Sequence, residues 1–378
     1  MNPLSTFKYI KNNFTKTLPV LISTTVSVLL IYLLLLITKS SVEMMNITIT
    51  NFFQKYTIIY SNNEDPIPKD YLDRINKDDN VGHIIPLINT TGYLSYTGLM
   101  GNMTITALNA YGNDIPQLIN TLDIKLIQGT LPTENKDEIL IPKKYALQKK
   151  LKIGDYIGSE VSSSYGIKGK LKISGITDGK VLLAILSDNK QIISRDKMLS
   201  SSIIYSVKNI KNKSLINYLS KSTPKNILIT DFYSITKQIT PLLNSLNALS
   251  YILTLIIILV MCISLGNLNY INFVNRKYEF GVLSAIGYKK SSLYFKLWKE
   301  NSLVCMLGYI GGILLTTLVA FLLNIIVLEP NGKFIPLWST SGVIIAFSIP
   351  AFVSILSLIA PIKELRRTEP LDVIGGGI

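Results

Sequence analysis

The chain has 378 residues, 48% of them hydrophobic and only 16% charged, with a mean hydropathy of +0.35 and a formal net charge of +14. Soluble domains carry charge on about a quarter of their residues, so this composition excludes an ordinary soluble protein. Cys262 and Cys305 are the only cysteines and His83 the only histidine, which excludes a disulfide-stapled domain and a zinc site.

Four apolar runs account for the composition: residues 18–38, 248–268, 302–328 and 340–362, none of which contains Asp, Glu, Lys or Arg. Each reaches the roughly 20 residues needed to cross a bilayer, and the chain reads as a polytopic membrane protein. Lysines and arginines cluster in the short segments at 1–17 (Lys8, Lys11, Lys16), at 271–301 and at 363–378 (Lys363, Arg366, Arg367), while Lys333 alone lies between the third and fourth runs. By the positive-inside rule both termini and the 271–301 segment are cytoplasmic, and the long region 39–240 is outside, because long domains translocate largely regardless of charge. The cytoplasmic segments hold twelve basic residues against five acidic ones. The outer excess is dispersed, without the clustered basic and aromatic pattern of a nucleic-acid surface, so nucleic acid is excluded as a partner.

Taken in order, residues 1–17 alternate apolar and basic side chains as an interfacial helix does. The first span at 18–38 is too long for a signal-peptide core and reads as a retained signal-anchor, with Pro19 in its first turn. In the outer region strands are predicted at 56–60, 81–88, 104–109, 139–141 and 171–176, and helices at 70–77, 143–151 and 214–221, with turns at Asp65, Pro66 and Pro68 and at Gly154, Asp155 and Gly175. Strands and helices mixed without a βαβ rhythm give an α+β domain. Pro241 is read as the start of a helix, 241–270, that rises from this domain into the second span. The elbow at 271–301 follows, then the third span at 302–328, a short outer loop at 329–339, the fourth span at 340–362 ending at Pro361, and the tail. Gly308 and Gly312, four residues apart in the third span, admit close approach of another helix.

The elbow reads RKYEFGVLSAIGYKKSSLYFKLWKE from Arg276 to Glu300 and carries Arg276, Lys277, Lys289, Lys290, Lys296 and Lys299. Val282, Leu283 and Ile286 recur at helical spacing, Gly287 supplies a left-handed stop, and Ser291 or Ser292 starts the next helix. A charged loop that does no more than fix topology explains the lysines but not the order of the residues around them.

That order, with Arg276, Glu279, Gly281, Val282, Leu283, Ala285, Ile286 and Gly287 in register and Glu300 at the start of the third span, resembles the FtsX/MacB-like (type VII) permeases of ABC transporters. Weaker pieces extend the resemblance outwards: Leu126, Gly129 and Pro132, the stretch from Glu138 to Ile157, then Ile173, Gly175 and Ile176, and finally the closing Pro361, Arg366, Arg367, Pro370 and Leu371. The resemblance implies four transmembrane helices with a large two-subdomain head between the first and second. It implies that the elbow is a coupling helix docked on a separate ABC ATPase dimer, and that a second permease copy, identical or paralogous, completes the assembly in a bacterial cell membrane.

No phosphate-binding loop of the form GxxxxGK[ST], no GxSxG and no HExxH occurs in the chain. No catalytic residue or cofactor is therefore assigned, and ATP hydrolysis is expected in the partner. His83 reads as a structural histidine. Ionisable side chains are missing from the four apolar runs, which argues against an ion-coupled transporter. Two readings stay open: a permease subunit that exports or extracts a peptide, drug or lipid-like substrate, and a transducer that switches an external hydrolase or reports on antimicrobial peptides. An external adaptor is compatible with either.

Overall fold

The structure is a computed structural model that describes residues 12–61, 67–87, 92–99, 101–133, 136–187, 202–221 and 227–367. Most of the expected interfacial helix at 1–17, the turn residues Asp65 and Pro66, Ile88 and the closing Pro370 and Leu371 lie outside the described residues. The chain divides into two compact units: one of residues 1–39, 245–323 and 335–378, and one of residues 40–244 and 324–334.

The first unit holds the apolar helices. Helix α1 runs Phe14–Met45, so Pro19 sits beyond its first turn rather than within it, because the helix starts four residues before the apolar run. The helical path continues through a π-helical turn at Asn46–Thr50 to Phe53. Among the described residues four helices are long and apolar enough to cross a membrane: Phe14–Phe53, Phe232–Val274, Lys290–Asn331 and Thr340–Arg366.

Inside a membrane no water satisfies polar groups, so they must pair with one another. Thr38 Oγ1 and Ser250 Oγ lie 2.9 Å apart, joining the first and second spans. Tyr32, fully buried, accepts a hydrogen bond from Ser339 N at the head of the fourth, and Tyr309 OH donates to Val343 O between the third and fourth. Gly308 and Gly312 take the first span into close contact. A Cβ on Gly308 would overlap Thr24 Oγ1, and one on Gly312 would stand 2.6 Å from Val28 Cβ. The pair thus serves a packing contact inside the chain.

The second unit is an α+β head. Strands β1 (Tyr56–Ser61), β2 (Val81–Pro86), β10 (Ser202–Val207) and β11 (Ile227–Thr230) form a four-stranded antiparallel sheet in the order β11-β1-β10-β2. Side chains alternate across a strand: Tyr56 and Ile58 of β1 join one core, while Ile59 joins another with Tyr71 and Ile75 of α2 (Lys69–Lys77). A second sheet of seven strands runs β3 (Gly92–Thr97), β4 (Asn102–Asn109), β9 (Ala184–Ser187), β6 (Glu138–Pro142), β8 (Leu171–Gly179) and β5 (Ile124–Gly129), with β7 (Tyr156–Ile157) pairing β8. Its pairings are antiparallel except β4 with β9 and β6 with β8. Helix α3 (Ile115–Thr121) packs in the core that includes Tyr56 and Ile58, and α4 (Lys143–Lys149) packs on the other core of the sheet through Tyr145 and Ala146. Gly129 has φ +85° beside Gly175, where a Cβ would meet Leu126 and Leu140 at 2.8 and 2.9 Å. Gly175 thus lies within β8, paired with Gly129 of β5, and not in the turn expected of it, because the two strands cross too closely there for a side chain. His83 bridges Tyr56 OH (2.7 Å) and Ser206 Oγ (3.0 Å), and burial lowers its pKa. It is a structural histidine.

Helix α5 spans Ser214–Lys221, and α6 spans Phe232–Val274. The start expected at Pro241 is corrected by nine residues. Asp231 caps the helix, its two carboxylate oxygens accepting Tyr233 N and Ser234 N at 3.1 Å each, while Asp231 N donates to Ser234 Oγ at 3.0 Å. A side-chain cap of this kind satisfies orphan amides that a proline leaves exposed.

Candidate functional site: the elbow and its charge cluster

After α6 the chain turns at Asn275 and Arg276 into α7 (Lys277–Ala285). Three backbone bonds end it: Ile286 N to Val282 O, Gly287 N to Ser284 O and Tyr288 N to Leu283 O, with Gly287 at φ +101°. The last two bonds form a Schellman cap, which requires a left-handed residue at that position. Helix α8 (Lys290–Leu323) then begins at Lys290, ahead of the expected Ser291 or Ser292, because the tight cap brings the chain round within two residues. The fourth span is built of α9 (Thr340–Ala346), α10 (Ser348–Leu356) and α11 (Ile359–Arg367). Pro361 therefore does not end the span. It lies in the first turn of α11, where its missing N–H costs little.

The elbow helix is pinned by one face. Phe280, Leu283, Leu293, Leu297, Phe273, Leu358 and Leu365 form a buried cluster, against which Tyr288 packs. Gly281 is buried and Val282 half-buried, whereas Ala285, Ile286 and Gly287 are exposed. The expected single apolar face of Val282, Leu283 and Ile286 is thus divided. Phe280 and Leu283, at i and i+3, point inward, and Ile286, in the C-cap, is 72% exposed with Tyr278 at 66%. Lys277 Nζ lies 3.6 Å from Glu364 Oε1, and Lys290 Nζ donates to Arg366 O, so α11 also holds the elbow.

Beneath the inward face lies a four-residue charge cluster. Arg276 forks onto Glu279 through Nε to Oε2 (2.9 Å) and Nη2 to Oε1 (3.1 Å), and its Nη1 donates to Glu300 Oε2 at 2.7 Å. Lys296 Nζ donates to Glu279 Oε1 at 2.8 Å. Arg276, Lys296 and Glu300 are buried, and both cations lie over the Phe280 ring, at 5.0 and 5.7 Å from its centroid. Burial pushes the Glu279 carboxyl up, but the hydrogen bonds and charges of Arg276 and Lys296 outweigh it and hold its pKa at about 2. Glu279 therefore stays ionised throughout the physiological range. A second polar knot lies one turn deeper, where Asn269 and Asn301 bond each other at 3.1 Å and both reach Ser357 Oγ at 3.0 Å.

Of the residues singled out in the sequence, the structure brings Arg276, Glu279 and Glu300 into one cluster and leaves Ala285, Ile286 and Gly287 at the exposed tip. Sequence reasoning missed Lys296 as a member, because it stood among five other basic residues. Its place four residues before Glu300, on the same helix face, was the available signal. Phe280, the anchor on which both cations lie, was also missed.

Residues 251–370 match the FtsX-like permease C-terminal family. This part of the chain is similar to an FtsX-like permease domain. Over 99 residues the chain is 28% identical to the macrolide export ATP-binding/permease protein MacB of Shewanella sp. (strain W3-18-1) and 27% identical to that of Agrobacterium fabrum (strain C58 / ATCC 33970). In both cases the matched stretch covers 26% of this chain but only 15% of the relative. The periplasmic region of MacB from Actinobacillus actinomycetemcomitans aligns with 52% of this chain and 95% of that structure, at 14% identity and a TM-score of 0.29. The extracellular domain of the noncanonic ABC-type transporter YknZ from Gram-positive bacteria aligns with 47% of this chain and all of that one, at 11% and 0.28. The FtsX-like domain contains the whole elbow, its charge cluster and the third and fourth spans. Four helices long and apolar enough to cross a membrane, together with the FtsX-like match over residues 251–370, support a multi-pass membrane protein.

The cluster holds no nucleophile beside a base, and among the described residues no group of His, Cys, Asp and Glu could hold a metal. A bidentate arginine between two carboxylates fixes distance and angle together.

Proposed function

We propose that the chain is the membrane subunit of an ATP-driven exporter or extractor. In this reading α7 is the coupling helix, seated on a separate ABC ATPase subunit that works as a dimer, and a second permease copy faces the first. Both termini and the elbow lie in the cytoplasm and the head outside. The observation that carries the reading is the division of α7. One face is locked to α8 and α11 by Phe280, Leu283 and the Arg276 cluster, while Tyr278, Ala285 and Ile286 are presented on the other. A helix that only marked topology would have no need of a rigid base. A helix that receives force from a partner must move as one body with the spans.

Sidedness is tested by cysteine labelling in whole cells. A cysteine at the exposed Lys168 of the head should react with a membrane-impermeant maleimide, and one at the exposed Lys289 of the elbow only after the membrane is opened. The reverse pattern would sink the topology.

A further inference from the structure

The head unit carries a second feature, at the end of the third span. The helical path of that span runs to Asn331, and its last residues, with the chain on to Phe334, belong to the head unit. Tyr96, fully buried, donates to Gly332 O at 2.6 Å. Gly332, at φ +68°, comes so near that a Cβ would overlap the Lys144 carbonyl of α4. This contact holds the segment against α4 beside an open cavity of about 260 Å³ lined by Gln148, Lys149, Val327, Leu328, Asn331 and Lys333 along with Thr97.

The lining is already half satisfied. Gln148 spends its amide on Thr97, accepting from its N at 2.9 Å and donating to its O at 2.8 Å. Two carbonyls at the end of the helix are covered too, Val327 O by Asn331 Nδ2 at 2.7 Å and Leu328 O by Lys333 N at 2.8 Å. What is left is two ammonium groups, Lys149 and Lys333, neither with a carboxylate at ion-pair distance among the described residues, beside apolar Val327 and Leu328. Ile326, next along, is 70% exposed and Val327 47%. Glu329, the acid nearest in sequence, does not line the cavity.

We infer that this cavity binds the phosphate headgroup of an anionic membrane lipid, with its acyl chains against Ile326 and Val327. Two cations pair with one phosphate, and the apolar end of a membrane span lies where acyl chains begin. The inference rests on the proposed function for the outward side of the cavity and for the class of molecule handled. Binding is measured without the ATPase, so failure here and failure of coupling are separate results.

The full-length protein in neutral detergent micelles is titrated with phosphatidylglycerol, with phosphatidylcholine and with inorganic phosphate. Phosphatidylglycerol is expected to bind, more weakly as salt is raised. Lys149→Gln and Lys333→Gln should each weaken it roughly fivefold, as each basic residue near an anionic surface contributes about that factor. Lys168→Gln, elsewhere on the head, should leave it unchanged. Wild-type affinity in the double variant Lys149→Gln/Lys333→Gln would overturn the inference. Equal affinity for phosphatidylcholine would overturn it as well, and so would displacement of the lipid by inorganic phosphate at matching concentration, which would mark a site for a free anion.

Discussion

Arg276→Ala is expected to be the most damaging single change in the elbow. Arg276 is bonded to both carboxylates of the cluster, and it is 9% exposed, with Glu300 at 5%. Its removal leaves Glu300 buried without its hydrogen-bonded counter-charge, a situation that costs about 3–5 kcal/mol when one partner of a buried pair is deleted. Glu279 would keep Lys296, but the fork that sets the angle between α7 and the base of α8 would be gone. Thermal unfolding of the purified full chain should show a large fall in midpoint. Arg276→Lys should fall between wild type and the alanine variant, since an ammonium restores charge but not the planar fork. An unchanged midpoint for Arg276→Ala would mean that the cluster adds nothing to the fold.

Gly312→Leu is expected to have the next largest effect, and by a different route. A Cβ at position 312 would stand 2.6 Å from Val28 Cβ and 2.9 Å from Thr25 O. Backbone on one side and a β-branched side chain on the other cannot move aside as the end of a flexible chain does. The first and third spans must therefore separate, with loss of the packing that small residues provide between membrane helices. Overpacking of this kind costs about 1–3 kcal/mol, and more where backbone must shift. Gly311→Ala is the control, because its Cβ would lie 3.6 Å from Thr25 Oγ1, at ordinary contact distance. The expected result is a clear loss of thermal stability for Gly312→Leu and near wild-type behaviour for Gly311→Ala. Equal behaviour of the two would remove the close helix crossing from the account.

Where the sequence was legible, a simple physical signal stood behind it. Four uncharged runs announced the spanning helices, and Gly287 announced the end of α7 because only a left-handed residue closes that cap. In the head, β1, β6 and the helix at Ser214–Lys221 were visible as short alternating or periodic segments. Strands β3, β5, β9, β10 and β11 were missed, since each is a brief apolar or mixed run whose strand character comes from pairing with distant partners, as β10 does between β1 and β2. The start of α6 was misplaced because Pro241 is a loud local signal, whereas the Asp231 and Ser234 cap is quiet. In the elbow the residue types were legible but their directions were not. Leu283 and Ile286 look alike in sequence, and only the packing of Phe280 on α8 and α11 sends one inward and leaves the other out. The ion pair of Arg276 with Glu300 crosses 24 residues and joins two helices, a distance over which no periodicity operates.

The claim at the centre of the account is that the exposed tip of α7 is seated on an ABC ATPase. Site-specific photo-cross-linking measures this directly. A photoreactive amino acid is placed at Ile286 in one strain and at Lys168 of the head in another, with the ATPase subunits present in the same cells. Irradiation should join position 286 to an ABC ATPase subunit, in a yield that falls when Arg276 is replaced by alanine, and should give no such product from position 168. An ATPase adduct from position 168, or none from position 286 in a protein that has folded and inserted, would contradict the account.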